Sequence, residues 1–121
     1  MEEISLRNYA HIGDAVWEIF VREYTVFKTQ NAKLLHDMTS KRVRASFQAQ
    51  LLNDISECLT YEEQDIARRA RNTQIPIARR NNQAEYRQST AFEALIGYWH
   101  LNDKNRLEYF LNKFRELEYF I

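Results

Sequence analysis

The chain has 121 residues, with 17 basic residues balancing 17 acidic ones, two glycines, one proline and one cysteine. That length suits a single domain burying roughly two-thirds of its unfolded surface, and it leaves no room for a second core. Apolar runs are short and broken by charge, well under the roughly 18–20 residues of a membrane span, and the Met1 end is acidic. A soluble, cytoplasmic, unprocessed chain with no membrane partner is expected. The lone Cys58 excludes an intrachain disulfide, and beside Leu59 and Ile55 it reads as a small buried hydrophobe.

So few glycines and prolines, with no alternating β-branched run, point to an all-α fold. Leu6, Tyr9, Ile12, Val16, Phe20 and Tyr24 recur at three- or four-residue steps and predict a helix from about Ser5 to Tyr24. Arg7, His11, Asp14, Glu18 and Arg22 form its opposite stripe. A turn through Thr29 and Asn31 leads to a short helix near Ala32 to Asp37; Thr39 or Ser40 then caps a longer one with Val43, Phe47, Leu51 and Ile55 on its buried face. Thr60 and Glu63 have capping-box spacing and start a helix that runs to about Arg71. From Asn72 to Ala84 the periodicity is lost around Pro76, and a loop that long in a compact domain is usually functional or disordered. Helix resumes from Glu85 to Leu101 and breaks at Asn102 and Asp103. Leu107, Phe110, Leu111, Phe114, Leu117 and Ile121 mark the last helix.

Asp14 and Glu18, four residues apart, share a helix face in the stretch Ile12 to Glu18. On pattern alone the commoner fate of such a pair is a solvated face paired with Arg7 and Arg22, and the sharper alternative is the edge of a metal site. Glu93 narrows the choice. It lies between Phe92 and Leu95 in an apolar helix, where an unpaired carboxylate costs several kcal/mol or takes up a proton. Gly13 and Gly97 sit inside predicted helices at a cost of up to about 1 kcal/mol each, which close backbone approach would justify. A crossing there brings Asp14 to Glu93, and an oxygen-only pair suits Mg²⁺, with Mn²⁺ as a substitute. His11 and His100 lie near enough in sequence to touch such a site, but their spacing suggests no zinc.

Zero net charge argues against nucleic acid, yet the charge is unevenly spread. From Arg68 to Arg87 six arginines face one acid, Glu85. Arg68, Arg69, Arg71, Asn72, Arg79, Arg80, Tyr86 and Arg87 read on charge alone as a solvated basic loop with no ligand, and alternatively as candidate contacts to an RNA duplex, which is gripped through phosphates and 2′-hydroxyls. Lys41, Arg42 and Arg44 form a second cluster that either extends this groove or only balances surface charge. Trp17, Tyr98 and Trp99, at helical spacing, read as core or interface rather than base-stacking platforms.

The blocks IGDAVWE (Ile12 to Glu18) and STAFEALIGYWHL (Ser89 to Leu101) resemble the two signature blocks of the ribonuclease III catalytic domain. YAHIGDAVWE, His36 with TSKRVRASFQAQ, ARRARN and YRQSTAFEALIGYWHL extend the likeness over nearly the whole chain, to the short Mini-ribonuclease III branch of that family, which lacks a separate double-stranded-RNA-binding domain. The resemblance implies one catalytic domain over residues 1–121, a homodimeric helical bundle, and Asp14 and Glu93 as catalytic, metal-holding carboxylates. The larger family places a Glu where this chain has Ala10 and an Asp where it has Thr90, departures that look typical of the short branch. Glu18 and Thr90 are then candidates to reach the metal through water.

The same resemblance implies Mg²⁺-dependent hydrolysis of double-stranded RNA to 5′-phosphate and 3′-hydroxyl ends, with the precursor of large-subunit (23S) ribosomal RNA as substrate and a large-subunit ribosomal protein as an assisting partner. One rival is a catalytically inactive duplex-binding homologue, motivated by Ala10 and Thr90. Another is a helical protein-interaction module, motivated by the zero net charge.

Overall fold

Short side-chain caps start the helices close to where the sequence places them. In the structure, a computed structural model that describes residues 4–73 and 83–121, the elements are α1 (Leu6–Thr25), α2 (Ala32–Val43), α3 (Ala45–Ile55), a 3-10 turn (Ser56–Cys58), α4 (Tyr61–Arg71), α5 (Gln83–Asn102) and α6 (Lys104–Glu116). Ser5 accepts from the Asn8 N–H at 3.2 Å to open α1, and Asn31 accepts from the Leu34 N–H at 2.9 Å to open α2. The capping box of α4 is complete: the Glu63 N–H donates to Thr60 at 3.2 Å and the Thr60 N–H donates to Glu63 at 2.8 Å. Every regular element among the described residues is helical. No helix among them is long and apolar enough to cross a membrane.

Four expectations shift. The short helix and its successor are divided at Arg44, not before Thr39: α2 runs unbroken to Val43, and Arg44 is extended at φ −73°, ψ 157°. Thr39 and Ser40 do not cap because they lie inside α2 with their hydroxyls engaged, Thr39 with Thr25 at the end of α1 at 2.8 Å and Ser40 with His36 at 3.3 Å. Gln83 and Ala84, read as loop, already belong to α5. The last helix ends at Glu116, where Leu117 turns extended at φ −69°, ψ 133° and drops Phe120 into the core, leaving Ile121 exposed. Cys58 is exposed, because the 3-10 turn carries Leu59 inward in its place.

The core is built around α5, which packs on α1, α3, α4 and α6. Eight of its residues are buried, Ala91, Phe92, Leu95, Ile96 and Trp99 among them. From α1 come Ala10, Trp17, Phe20 and Val21, so the buried face is rotated from the predicted stripe and leaves Leu6, Tyr9, Val16 and Tyr24 on its margin. Trp17 meets the rings of Phe92, Phe114 and Phe120 edge-on at 5.0, 5.6 and 6.2 Å. Trp17 and Trp99 are thus core residues, and half-buried Tyr98 packs edge-on to Tyr9 at 5.6 Å.

Two buried ionic side chains fix the periphery. Glu63 accepts from Trp99 Nε1 at 2.8 Å and takes both ends of the Arg106 fork at 2.8 and 2.9 Å, joining α4, α5 and α6. Arg42, read as part of a surface cluster, is only 4% exposed. Its guanidinium donates to the carbonyls of Met38, Phe120 and Ile121 at 2.8, 2.8 and 3.1 Å. It therefore cannot extend a groove; it fastens the C-terminal turn to α2.

Candidate active site at the crossing of two helices

The two glycines set the distance between α1 and α5. A Cβ on Gly13 would stand 1.8 Å from the Glu93 carbonyl oxygen, and one on Gly97 would stand 1.9 Å from that of Tyr9. Only hydrogen fits at either place, so the backbones touch. One consequence is electrostatic: Asp14, next to Gly13, stands near enough to Glu93 to disfavour its ionised form.

Asp14 is exposed while Glu93 is mostly buried. Burial, and then the neighbouring Asp14, push the Glu93 carboxyl up to about 8; a hydrogen bond from Gln48 on α3 opposes the rise. A carboxylate so placed either keeps a proton near neutral pH or shares a cation with Asp14. The pair lies in a cleft of ≈ 240 Å³ whose walls include Arg7, Ala10 and His11 from α1 and Tyr86 and Thr90 from α5. A hollow of ≈ 420 Å³ between α3, α4 and α5 is larger, but it contains no acidic residue, so size does not select the site.

Not every expected residue reaches the cleft. Thr90 lines it, with its hydroxyl donating to the Tyr86 carbonyl at 3.0 Å. Glu18 does not: it is held by Arg22 at 2.8 Å, which is the ion-paired outcome for that half of the acidic stripe. His11 is present on the wall and His100 is not.

Of the basic rim, Arg68 and Arg69 are exposed in the last turn of α4 beside Asp65, and Asn72 is exposed just after it. Arg71 donates to Gln88 at 3.0 Å, and Arg87 donates to the carbonyls of Arg71 and Thr73, so both also stitch the end of α4 to α5. Tyr86 faces the carboxylates. Arg79 and Arg80 lie outside the described residues.

Two supports of the site were not anticipated. Gln48 is 2% exposed and donates to the Val43 carbonyl at 3.3 Å. Trp17, three residues after Asp14, donates its Nε1 to the Arg42 carbonyl at 2.9 Å and so ties α1 to the end of α2. The available signal was an amide in the buried row Gln48, Leu51, Leu52, Ile55 of α3.

The Ribonuclease III domain family model matches residues 7–104, a span that contains both carboxylates and both glycines. The chain belongs to the ribonuclease III family. Within that family it is similar to proteins named Mini-ribonuclease 3: 42% identical over 119 residues to that of Gloeobacter violaceus, covering 98% of this chain and 88% of that one. To the Staphylococcus aureus protein of the same name it is 41% identical over 109 residues, 86% and 81% of the two chains. A crystal structure of a Fusobacterium nucleatum protein superposes with a TM-score of 0.86 at 28% identity, covering 97% of both chains. The ribonuclease III helical architecture expected from the signature blocks is therefore present.

Among the described residues no three His, Cys, Asp or Glu converge as a metal cage. A pair of hard oxygen ligands, one unable to ionise cheaply by itself, nevertheless suits a cation that keeps most of its water, as Mg²⁺ does.

Proposed function

We propose that the chain is an endoribonuclease that hydrolyses phosphodiester bonds of double-stranded RNA, with Asp14 and Glu93 holding Mg²⁺. The observation that carries this reading is that the Gly13–Gly97 crossing brings those two carboxylates into one cleft open to solvent. Bound there, the metal supplies a Lewis acid for a phosphate oxygen and lowers the pKa of water. Arg7 and His11 on the wall face the entering backbone, and the exposed Arg68 and Arg69 add sequence-independent grip on phosphates. Water attacks phosphorus and the 3′-oxygen leaves, which gives a 5′-phosphate and a 3′-hydroxyl. No side chain becomes a covalent nucleophile.

A duplex presents two strands, so a homodimer with one site per strand completes the reading. Exposed Ala15 and Ile19, the latter 60% exposed, leave α1 with apolar surface that a second copy would cover. The substrate we favour is the precursor of 23S ribosomal RNA, cut near its ends in the cytoplasm, with a large-subunit ribosomal protein shaping the duplex.

The test is a long RNA duplex with Mg²⁺ and the purified protein, run beside Asp14→Asn and Glu93→Gln, with end analysis of the products. Cuts bearing 5′-phosphates that both variants abolish, while still binding RNA, are expected. Binding without cuts in Mg²⁺ or Mn²⁺ would instead identify a silent duplex-binding homologue, the rival that Ala10 and Thr90 motivate.

A further inference from the structure

The lining of the carboxylate cleft is divided in its chemistry. α1 offers Arg7 and His11, whose N–H groups can meet a phosphate. From the end of α4 and from α5 come two half-buried hydroxyls, those of Thr73 and Thr90. Neither has its proton to give. The Thr73 N–H and hydroxyl both donate to the Ala70 carbonyl, at 3.2 and 2.9 Å, and the Thr90 hydroxyl donates to the Tyr86 carbonyl at 3.0 Å. A hydroxyl has one proton and two lone pairs, so with the proton engaged its oxygen only accepts.

Thr73 is also held from behind. Its carbonyl and that of Arg71 receive the Arg87 guanidinium from α5, the former at 3.4 Å, while the Arg71 side chain donates to Gln88 at 3.0 Å. The end of α4 is thus fixed to two adjacent residues of α5, and Thr73 is set in the cleft wall by them. A phosphate oxygen, itself only an acceptor, finds no donor in either hydroxyl. A ribose 2′-hydroxyl can donate, and it is the group that DNA lacks. Resting on the nuclease reading above, we infer that Thr73 and Thr90 select RNA by accepting hydrogen bonds from ribose 2′-hydroxyls of the strand in the cleft, while Arg7 and His11 take its phosphates.

The donor can be removed on the RNA itself, because a 2′-fluoro sugar keeps the A-form pucker but has no proton to give. A single 2′-fluoro nucleotide is scanned through the duplex positions flanking the cut. At one or two of them wild-type single-turnover cleavage should fall about five- to tenfold, the weight of one hydrogen bond. Thr73→Val and Thr90→Val delete the acceptor with little change of shape, and each should lose about as much on the all-ribose duplex. Each should also be indifferent, within about twofold, to fluorine at the position its own hydroxyl reads, because that partner is gone. Thr73→Ser and Thr90→Ser keep the hydroxyl and should restore the discrimination.

Wild-type rates unchanged by fluorine at every scanned position overturn the inference and leave the nuclease reading intact. Valine variants that lose activity yet keep the full wild-type response to fluorine also overturn it, and make the hydroxyls structural only. Should Thr73→Val fail to fold, Thr90→Val, inside α5, decides. If the wild type cuts no duplex, the nuclease reading falls and affinity decides instead: a fully 2′-fluoro duplex should bind about threefold or more weakly than the ribose duplex, and equal affinity overturns the inference.

Discussion

Replacing Gly13 by Ala sets two effects of opposite sign against each other. Inside a helix, Ala is favoured over Gly by up to about 1 kcal/mol, so propensity alone predicts a more stable protein. The new Cβ, however, would lie 1.8 Å from the Glu93 carbonyl oxygen, 2.7 Å from its carbon and 2.9 Å from the Gly97 nitrogen. All three atoms are backbone, so no rotamer change relieves the overlap. α1 and α5 would have to part by roughly 1.5 Å to restore ordinary contact. Overpacking of this kind costs about 3 kcal/mol, at the upper end of its usual range, and the net loss is about 2 kcal/mol. For a chain of this size the melting temperature should fall by about 8 °C. The same separation pulls Asp14 from Glu93 and loosens the 5.0 Å Trp17–Phe92 contact. A misplacement of 1 Å at reacting groups costs about 100-fold, so cleavage should drop by at least that much. Circular-dichroism melting and single-turnover cleavage of a duplex measure the two effects. A Gly13→Ala protein as stable as wild type, with cleavage within twofold, refutes the close crossing.

Because burial and Asp14 raise the Glu93 carboxyl from 4.5 to about 8, the folded state holds a proton that the unfolded chain has released between those values. Metal-free stability should therefore decline as pH rises across that window. Asp14→Asn should flatten the slope and raise the metal-free melting temperature at pH 8 while abolishing cleavage; melting in a chelator across pH 5–9 tests it, and a rising slope would contradict it. Glu63→Ala leaves Trp99 Nε1 and the Arg106 fork without their acceptor and breaks the capping box, so about 3–5 kcal/mol should be lost in urea unfolding. The Glu63 carboxyl is itself held below its usual value: burial alone would raise it, but hydrogen bonds from Arg106, Thr60 and Trp99 outweigh that. Its contribution is accordingly present above about pH 4.5 and fades as pH falls further, and an unchanged acid limb in Glu63→Gln would argue against it. Arg79→Ala with Arg80→Ala should weaken duplex binding and lower the slope of log affinity against log salt by about 2, since each phosphate contact contributes about 0.9. An unchanged slope removes both from the interface.

What could be read from the chain, and what could not, divides by the range of the cause. Helices begin where Ser5, Asn31 and Thr60 can reach an N–H three residues on, an interaction complete within one turn. The crossing was legible because a glycine inside an apolar helical pattern has few explanations, and Gly13 and Gly97 each stand within four residues of a carboxylate. Arg42 had no such local mark. It sits among Lys41 and Arg44 as one of three bases, and only the arrival of Phe120 and Ile121 from the other end of the chain makes it a buried clamp. That arrival needs the helix to stop at Leu117, which carries neither glycine nor proline as a signal. Gln48 falls between the two cases: its polarity within an apolar row was visible, but not that its amide would be taken up by the Val43 carbonyl at the end of α2. A site of two carboxylates can thus be proposed from one short motif on each helix. The contacts that hold α1 in place lie farther off, as with Trp17 Nε1 on the Arg42 carbonyl near the end of α2, where periodicity offers only a core position.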